Sequence, residues 1–204
     1  MLSDEVGVRL VRLARWAIED ELGLQTQPVA VSELRDTDIR RGVFVTLYVY
    51  DSKELRGCMG IPIARSNIVD DTMMAARLAA FYDPRFPPLT KSEADEVILE
   101  LSLLTDPERI SAEPPSTLPQ HIRVGLDGLI IEADEGSGLL LPQVPVEYGW
   151  DAEEFLMHLC IKAGLRPTHW LRRDVKIYKF NADIFAEESP RGPVRRVTIT
   201  AKQC

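Results

Sequence analysis

Leu55-Arg56-Gly57-Cys58-Met59-Gly60 places a guanidinium and a thiol among two glycines within six residues. Glycine lets a backbone turn tightly or lets another group come close to it, so Cys58 is a cysteine that another group can reach. Its chemical role would be that of a nucleophile or thiolate ligand. Arg56 and a turn of backbone N–H groups would then lower its pKa below about 8.5. In the structural alternative Cys58 is a small apolar residue packed at a tight strand end. No histidine stands in a recognisable partner motif beside it.

Arg56 is followed by Gly57, and Arg85 is preceded by Pro84. An arginine on stiff backbone suits phosphate or carboxylate recognition, and both are assigned to substrate binding. The alternative is an ion pair with a neighbour such as Asp83 that holds a loop. Pro142–Trp150 reads as an irregular segment stiffened by two prolines. On it Gln143 can hydrogen-bond a ligand, and Glu147 can act as a general acid or base if desolvated. The alternative there is a loop packed by Tyr148 and Trp150. Cys160 falls on an apolar helix stripe and belongs to the core, while Cys204 ends the chain. His121, His158 and His169 form no pair at ligand spacing, so no metal site is expected, and His169 is a minor candidate base. Gly57 and Gly60 do not have the spacing of a phosphate-cradling loop.

Several elements must position these groups. Residues 4–22 read as a helix, with Ser3 as cap, Gly23 as stop and Leu10, Leu13 and Ile18 on its apolar face. Val43–Tyr50 alternates as a strand, with a turn at 51–54 and a bulge or strand end near Cys58. Ser66–Ala80 reads as a second helix stopped by the Asp83–Pro88 segment. Thr90-Lys91-Ser92-Glu93 has capping-box spacing, and Val97–Leu104 is a second strand. Residues 105–119 hold four prolines and mark a lobe boundary. A hairpin at 129–141 turns through 134–138. A third helix starts at Asp151 and stops at Gly164, and Val175–Phe180 is a strand. The tail after Ser189, with Arg191, Arg195 and Arg196, reads as a solvated end or an edge strand.

The charge of −8 argues against a broad face for duplex DNA. No apolar run reaches the length of a membrane span. Three scattered cysteines suit a reducing cytoplasm better than a disulfide framework. Mixed helices and hairpin-linked strands predict an α+β fold: an antiparallel sheet flanked by helices, containing strands 43–50, 97–104 and 175–180. Two lobes of unequal size are expected. The larger covers about residues 1–60, 95–135 and 172–204, and the smaller about 61–94 and 136–171.

LRGCMG, DPRFPPL, LLPQVPVEYGW and the Lys162-Ala163-Gly164-Leu165 helix end together resemble the AMMECR-type domain family, over residues 4–187. Met59 stands where that family's hexapeptide has isoleucine, a mild change. The resemblance implies a two-lobed α+β cytosolic protein, and the length of 204 residues is read as a single domain, with the segment after Ser189 outside the matched motifs. It names no reaction, though association of such domains with radical-type and Memo-type proteins hints at a shared modification pathway, with RNA as one substrate. The expected function is therefore an enzyme acting on a small or nucleotide-like substrate in an inter-lobe cleft around Cys58, with Cys58 and Glu147 catalytic. The rival is a binding or adaptor module for a peptide, nucleotide or modified RNA base. Neither the cofactor nor a protein partner is specified by the residues.

Overall fold

The computed structural model describes residues 2–35 and 37–199. The chain runs through α1 (Asp4–Glu21), α2 (Ser32–Arg35), β1 (Gly42–Val49), β2 (Leu55–Ile61), α3 (Ile68–Phe81), a 3-10 turn at Glu93–Asp95 and β3 (Val97–Leu104). It continues with β4 (Glu108–Ile110), a 3-10 stretch at Pro115–His121, β5 (Gly128–Ala133), β6 (Gly136–Leu140), α4 (Gln143–Tyr148) and α5 (Ala152–Lys162). A 3-10 turn at His169–Leu171, β7 (Lys176–Phe180), β8 (Ala182–Glu187) and β9 (Val194–Val197) complete it.

Contacts divide the chain into two compact units. One gathers the described residues up to Leu104 together with Asp183–Val197, and the other gathers Thr105–Ala182 with Thr198 and Ile199. This grouping differs from the expected lobes. Helices α3 and α5, predicted to share the smaller lobe, lie in different units. The reason is that each buries its stripe on the sheet nearest in sequence: α3 on β1 and β2, α5 on β5 and β6.

The first unit holds a five-stranded sheet in the order β2-β1-β3-β8-β9. β1 pairs antiparallel with both β2 and β3. Helix α1 starts where Ser3 accepts a hydrogen bond from the Val6 N–H, and Asp4 and Glu5 sit in its first turn, where carboxylates oppose the helix dipole favourably. Helix α3 is capped by Asn67, whose side chain accepts from the N–H groups of Val69 and Asp70. Leu10, Leu13 and Ile18 of α1, Ala75, Ala76 and Ala79 of α3, and Val43, Val45, Leu47, Leu99, Leu101 and Leu103 of the sheet form one core. The odd residues of β1 thus face the helices and the even ones face away, as the period of two requires.

Two charged residues lie inside this unit. The Arg15 and Glu187 side chains are 4% and 0% exposed and form an ion pair. Arg15 also donates to the Ala94 and Val97 carbonyls, and Glu187 accepts the Leu99 N–H. Each guanidinium nitrogen of Arg15 and each carboxylate oxygen of Glu187 has a partner, which is the condition for burying the pair.

The second unit holds a four-stranded sheet in the order β4-β7-β5-β6. Val175–Phe180 was expected in one sheet with Val43–Tyr50 and Val97–Leu104. It pairs instead with β4 and β5, because alternation identifies a strand but not its neighbour. The hairpin turn is shorter than predicted: Ala133 pairs with Gly136, leaving Asp134 and Glu135 as the turn. Helix α5 is held by a full capping box between Asp151 and Glu154, and Phe155, Leu156, Leu159 and Cys160 are fully buried on it. Pro142–Trp150, read as irregular, is mostly the short helix α4, ended by Gly149 at φ 70°. Prolines there did not break a helix of barely more than one turn, because the first turn has no N–H bonds to lose.

Among the described residues the tail from Ser189 to Ile199 is tied to the fold. β9 is an edge strand on β8, Arg191 pairs with Glu19 and Asp95, and Arg196 pairs with Asp4 and Asp183. Cys204 lies outside the described residues.

Candidate functional site

Strand β2 is an edge strand, and its sequence LRGCMG is explained by three separate contacts. Gly57 opposes Leu47 and Leu55 opposes Tyr48, so Arg56 is the extra residue of a β-bulge. Gly57 faces the helices, and a Cβ there would lie 2.2 Å from the Ala79 carbonyl oxygen of α3. Only glycine lets the helix backbone come this close. On the other face a Cβ on Gly60 would lie 2.5 Å from the Phe44 ring, so its absence leaves room for that ring.

Cys58 lies opposite Thr46 on β1, and Thr46 lies opposite Glu100 on β3. The Thr46 hydroxyl donates to Cys58 Sγ at 3.2 Å. The same face carries Phe44, Tyr48 and Ser102. Phe44, Tyr48, Cys58 and Glu100 are half-buried, and Thr46 and Ser102 are buried.

The outward backbone groups of Cys58 are taken by the DPRFPPL segment. The Cys58 N–H donates to Asp83 Oδ2 at 2.9 Å, and Arg85 Nη2 donates to the Cys58 carbonyl at 3.2 Å. Arg85 is itself paired with Asp83 at 2.6 Å. Arg56 donates to Glu93 at 2.8 Å and to the Pro87 carbonyl at 3.0 Å. Phe86 lies near both guanidiniums, 5.8 Å from Arg56 and 5.4 Å from Arg85. Thr90 and Glu93 exchange hydrogen bonds, as the capping-box spacing predicts. The segment therefore covers a sheet edge that would otherwise offer unpaired backbone groups.

These partners set the charges. The Arg85 hydrogen bonds hold Asp83 down at about 2, and the Arg56 hydrogen bonds hold Glu93 down at about 2. Burial pushes the Cys58 thiol above its ordinary value. The Thr46 hydrogen bond and the Arg85 charge oppose that shift, while Glu100 and Asp83 add to it. The expectation of a depressed thiol pKa through Arg56 and free backbone N–H groups is thus corrected: Arg56 is spent on Glu93, and the Cys58 N–H is spent on Asp83.

Cys58, Arg56 and Arg85 are brought together in the first unit. Gln143 and Glu147 belong to the second, both on α4, and Glu147 is exposed. His169 is buried there with Nε2 3.4 Å from Glu135 Oε2. Among the described residues no group of three His, Cys, Asp or Glu is arranged to hold a metal, and no helix is long and apolar enough to cross a membrane. Thr46, Glu93 and Glu100 were missed as parts of the site. Glu93 had a readable signal in its capping-box spacing. Thr46 and Glu100 had none, since cross-strand register is not written in either strand alone.

The arrangement of LRGCMG against DPRFPPL can be compared with known proteins. A sequence profile described as AMMECR1 matches residues 11–185. The chain belongs to the AMMECR1 family. Protein PH0010 of Pyrococcus horikoshii is 50% identical over 202 residues, covering 96% of each chain. Protein MJ0810 of Methanocaldococcus jannaschii is 48% identical over 199 residues, covering 95% of this chain and 96% of the relative. The crystal structure of PH0010 superimposes with a TM-score of 0.89, covering 97% of this chain and 98% of the other. This AMMECR1 chain therefore shares its α+β architecture with a solved relative, and the names of these relatives state no activity.

Proposed function

We propose that this AMMECR1 chain is a non-catalytic binding module that takes a small, nucleobase-like ligand on the sheet face around Cys58. The observation that supports it is the state of the thiol, pushed up by burial rather than down. A neutral thiol is a poor nucleophile but a fair hydrogen-bonding wall. Phe44 and Tyr48 stand two residues either side of Thr46 on the same face. Half-buried aromatic rings on a sheet are suited to stacking flat bases. Thr46, Cys58 and Glu100 offer hydrogen-bonding groups between them. The chain charge of −8 favours one base or nucleoside over a long polyanion. A modified RNA base is one such ligand, and the reading needs neither Gln143 nor Glu147. A reducing cytoplasm is the compartment we propose, since Cys58 and Cys160 are both free.

The test is titration of the protein with a panel of nucleosides, followed by amide spectra. Saturable shifts at β1–β3 with one nucleoside, weakened about tenfold by Tyr48→Ala, are expected, as loss of one stacking ring costs ~1–3 kcal/mol. Silence across the panel would sink the nucleobase reading. Turnover of any panel member, lost in Cys58→Ser, would restore the thiol enzyme.

A further inference from the structure

Building on the base-binding reading above, we infer that the ligand of the sheet face around Cys58 is a guanine-type base, held by Glu100 through two adjacent N–H donors. The register decides what the edge of a base meets there. Cys58, Thr46 and Glu100 form one row across β2, β1 and β3. Phe44 and Tyr48 lie two residues either side of Thr46, opposite Ser102 and Ile98 of β3. Glu100 stands between Ile98 and Ser102, so it is the diagonal neighbour of both rings, at a separation of roughly 7–8 Å that a long side chain spans. A base stacked on either ring therefore has an edge within reach of this row.

The hydrogen bond inside the row sorts its groups into donors and acceptors. The Thr46 hydroxyl gives its proton to Cys58 Sγ, so it offers a ligand lone pairs only. Glu100 acts on Cys58 as a negative charge, and an ionised carboxylate is an acceptor with no proton to give. Of the three side chains only the thiol donates, and an S–H donates weakly. An edge that meets acceptors must bring N–H groups. Uracil carries a carbonyl on each side of its N3–H, and a carboxylate repels both. Adenine and cytosine each bring one amino group beside a bare ring nitrogen, which is itself an acceptor. Guanine brings N1–H and the N2 amino group side by side, and one carboxylate takes both in the bidentate manner in which it takes a guanidinium. Glu100 is half-buried, and away from bulk water such a charge-assisted pair gains strength. A base without the two donors leaves the carboxylate unsatisfied, which is how a site of this kind rejects its competitors.

Guanosine, inosine, adenosine and uridine are the probes, titrated into the wild-type chain and into Glu100→Gln. The amide signals of Thr46, Cys58 and Glu100 in a 1H–15N spectrum are the readout. Guanosine should saturate them with a dissociation constant on the order of 0.1 mM, given the energy that about 20 non-hydrogen atoms supply. Inosine, which is guanosine without the N2 amino group, should bind at least about tenfold more weakly, the worth of one charge-assisted hydrogen bond. Glu100→Gln replaces one acceptor by an N–H donor, an arrangement that suits adenine. The ratio of guanosine to adenosine affinity should therefore fall at least about tenfold in the variant. A ratio taken within one protein is insensitive to a general loss of stability, and the comparison of guanosine with inosine needs no variant. Equal binding of guanosine and inosine, a preference for uridine, or an unchanged ratio in Glu100→Gln overturns the guanine assignment and leaves the face a base site. Silence of all four nucleosides overturns both readings.

Discussion

A thiol that accepts from Thr46, with its N–H given to Asp83 and its carbonyl capped by Arg85, is a neutral thiol at pH 7. Iodoacetamide should label Cys58 slowly at neutral pH, with a rate that rises through a midpoint above the free value of about 8.5. Thr46→Val should raise that midpoint further, because the Thr46 hydroxyl favours the thiolate. A midpoint below the free value would return Cys58 to the nucleophiles. The two carboxylates behave oppositely. Asp83 and Glu93 titrate at about 2 in the folded chain, below the ordinary values of 3.8 and 4.5. Their stabilisation is complete above about pH 5 and is lost as pH falls toward 2. Discounted for the exposure of Arg85 in one pair and of Glu93 in the other, it amounts to about 1–2 kcal/mol each. In acid unfolding from neutral pH to pH 2, Asp83→Asn with Glu93→Gln should flatten the acid limb. An acid limb of unchanged steepness in the double variant would show that these pairs do not hold the edge.

At the scale of elements, two contacts decide how the site is held. Helix α3 crosses β2 at Gly57, where a methyl group would meet the Ala79 carbonyl at 2.2 Å. Backbone cannot yield as a side chain can, so Gly57→Ala must separate helix and strand. It should cost about 1–3 kcal/mol in urea unfolding and shift the amide signals of Cys58 and Asp83 together. The second contact ties α1 to the sheet through Arg15 and Glu187. Glu187→Ala leaves a buried guanidinium and the Leu99 N–H without their acceptor. A loss of about 3–5 kcal/mol is expected. Urea curves with a change under 1 kcal/mol would mean that water replaces the carboxylate, since an uncompensated buried charge costs at least ~3 kcal/mol.

At the scale of the whole molecule, each unit has its own core, one built on Val43–Leu47 and Leu99–Leu103, the other on Leu129, Ile131 and the α5 stripe. The main segment of the second unit, Thr105–Ala182, begins and ends at neighbouring points. The Thr105 N–H donates to the Asn181 carbonyl at 2.8 Å, and the Asn181 N–H donates to Thr105 Oγ1 at 2.9 Å. A fragment of residues 105–182 should therefore fold by itself, as a unit with its own core and adjacent ends can. Dispersed amide signals and a cooperative melt are the expected result. A fragment with collapsed signals and no melt would show that the second core depends on the rest of the chain.

LRGCMG as a disturbed strand, the cap at Ser3, the start of the third helix at Asp151, the stripe of α1, and the strands Val43–Tyr50 and Val97–Leu104 were all legible from residues alone. Each depends on interactions within a few positions: a cap, a period of 3.6 or 2, a glycine in a strand. The pairing of Arg85 with Asp83 was legible for the same reason, being two residues apart. The partner of Arg56 was not, because Glu93 lies 37 positions away. Nor was the place of Val175–Phe180 in a second sheet, or the row Cys58–Thr46–Glu100. These are set by which hydrophobic faces bury one another, a free energy summed over the molecule. The residue types in LRGCMG made Cys58 a candidate for chemistry. Only the packing around it, which desolvates the thiol and spends both arginines on carboxylates, decided that the thiol is neutral.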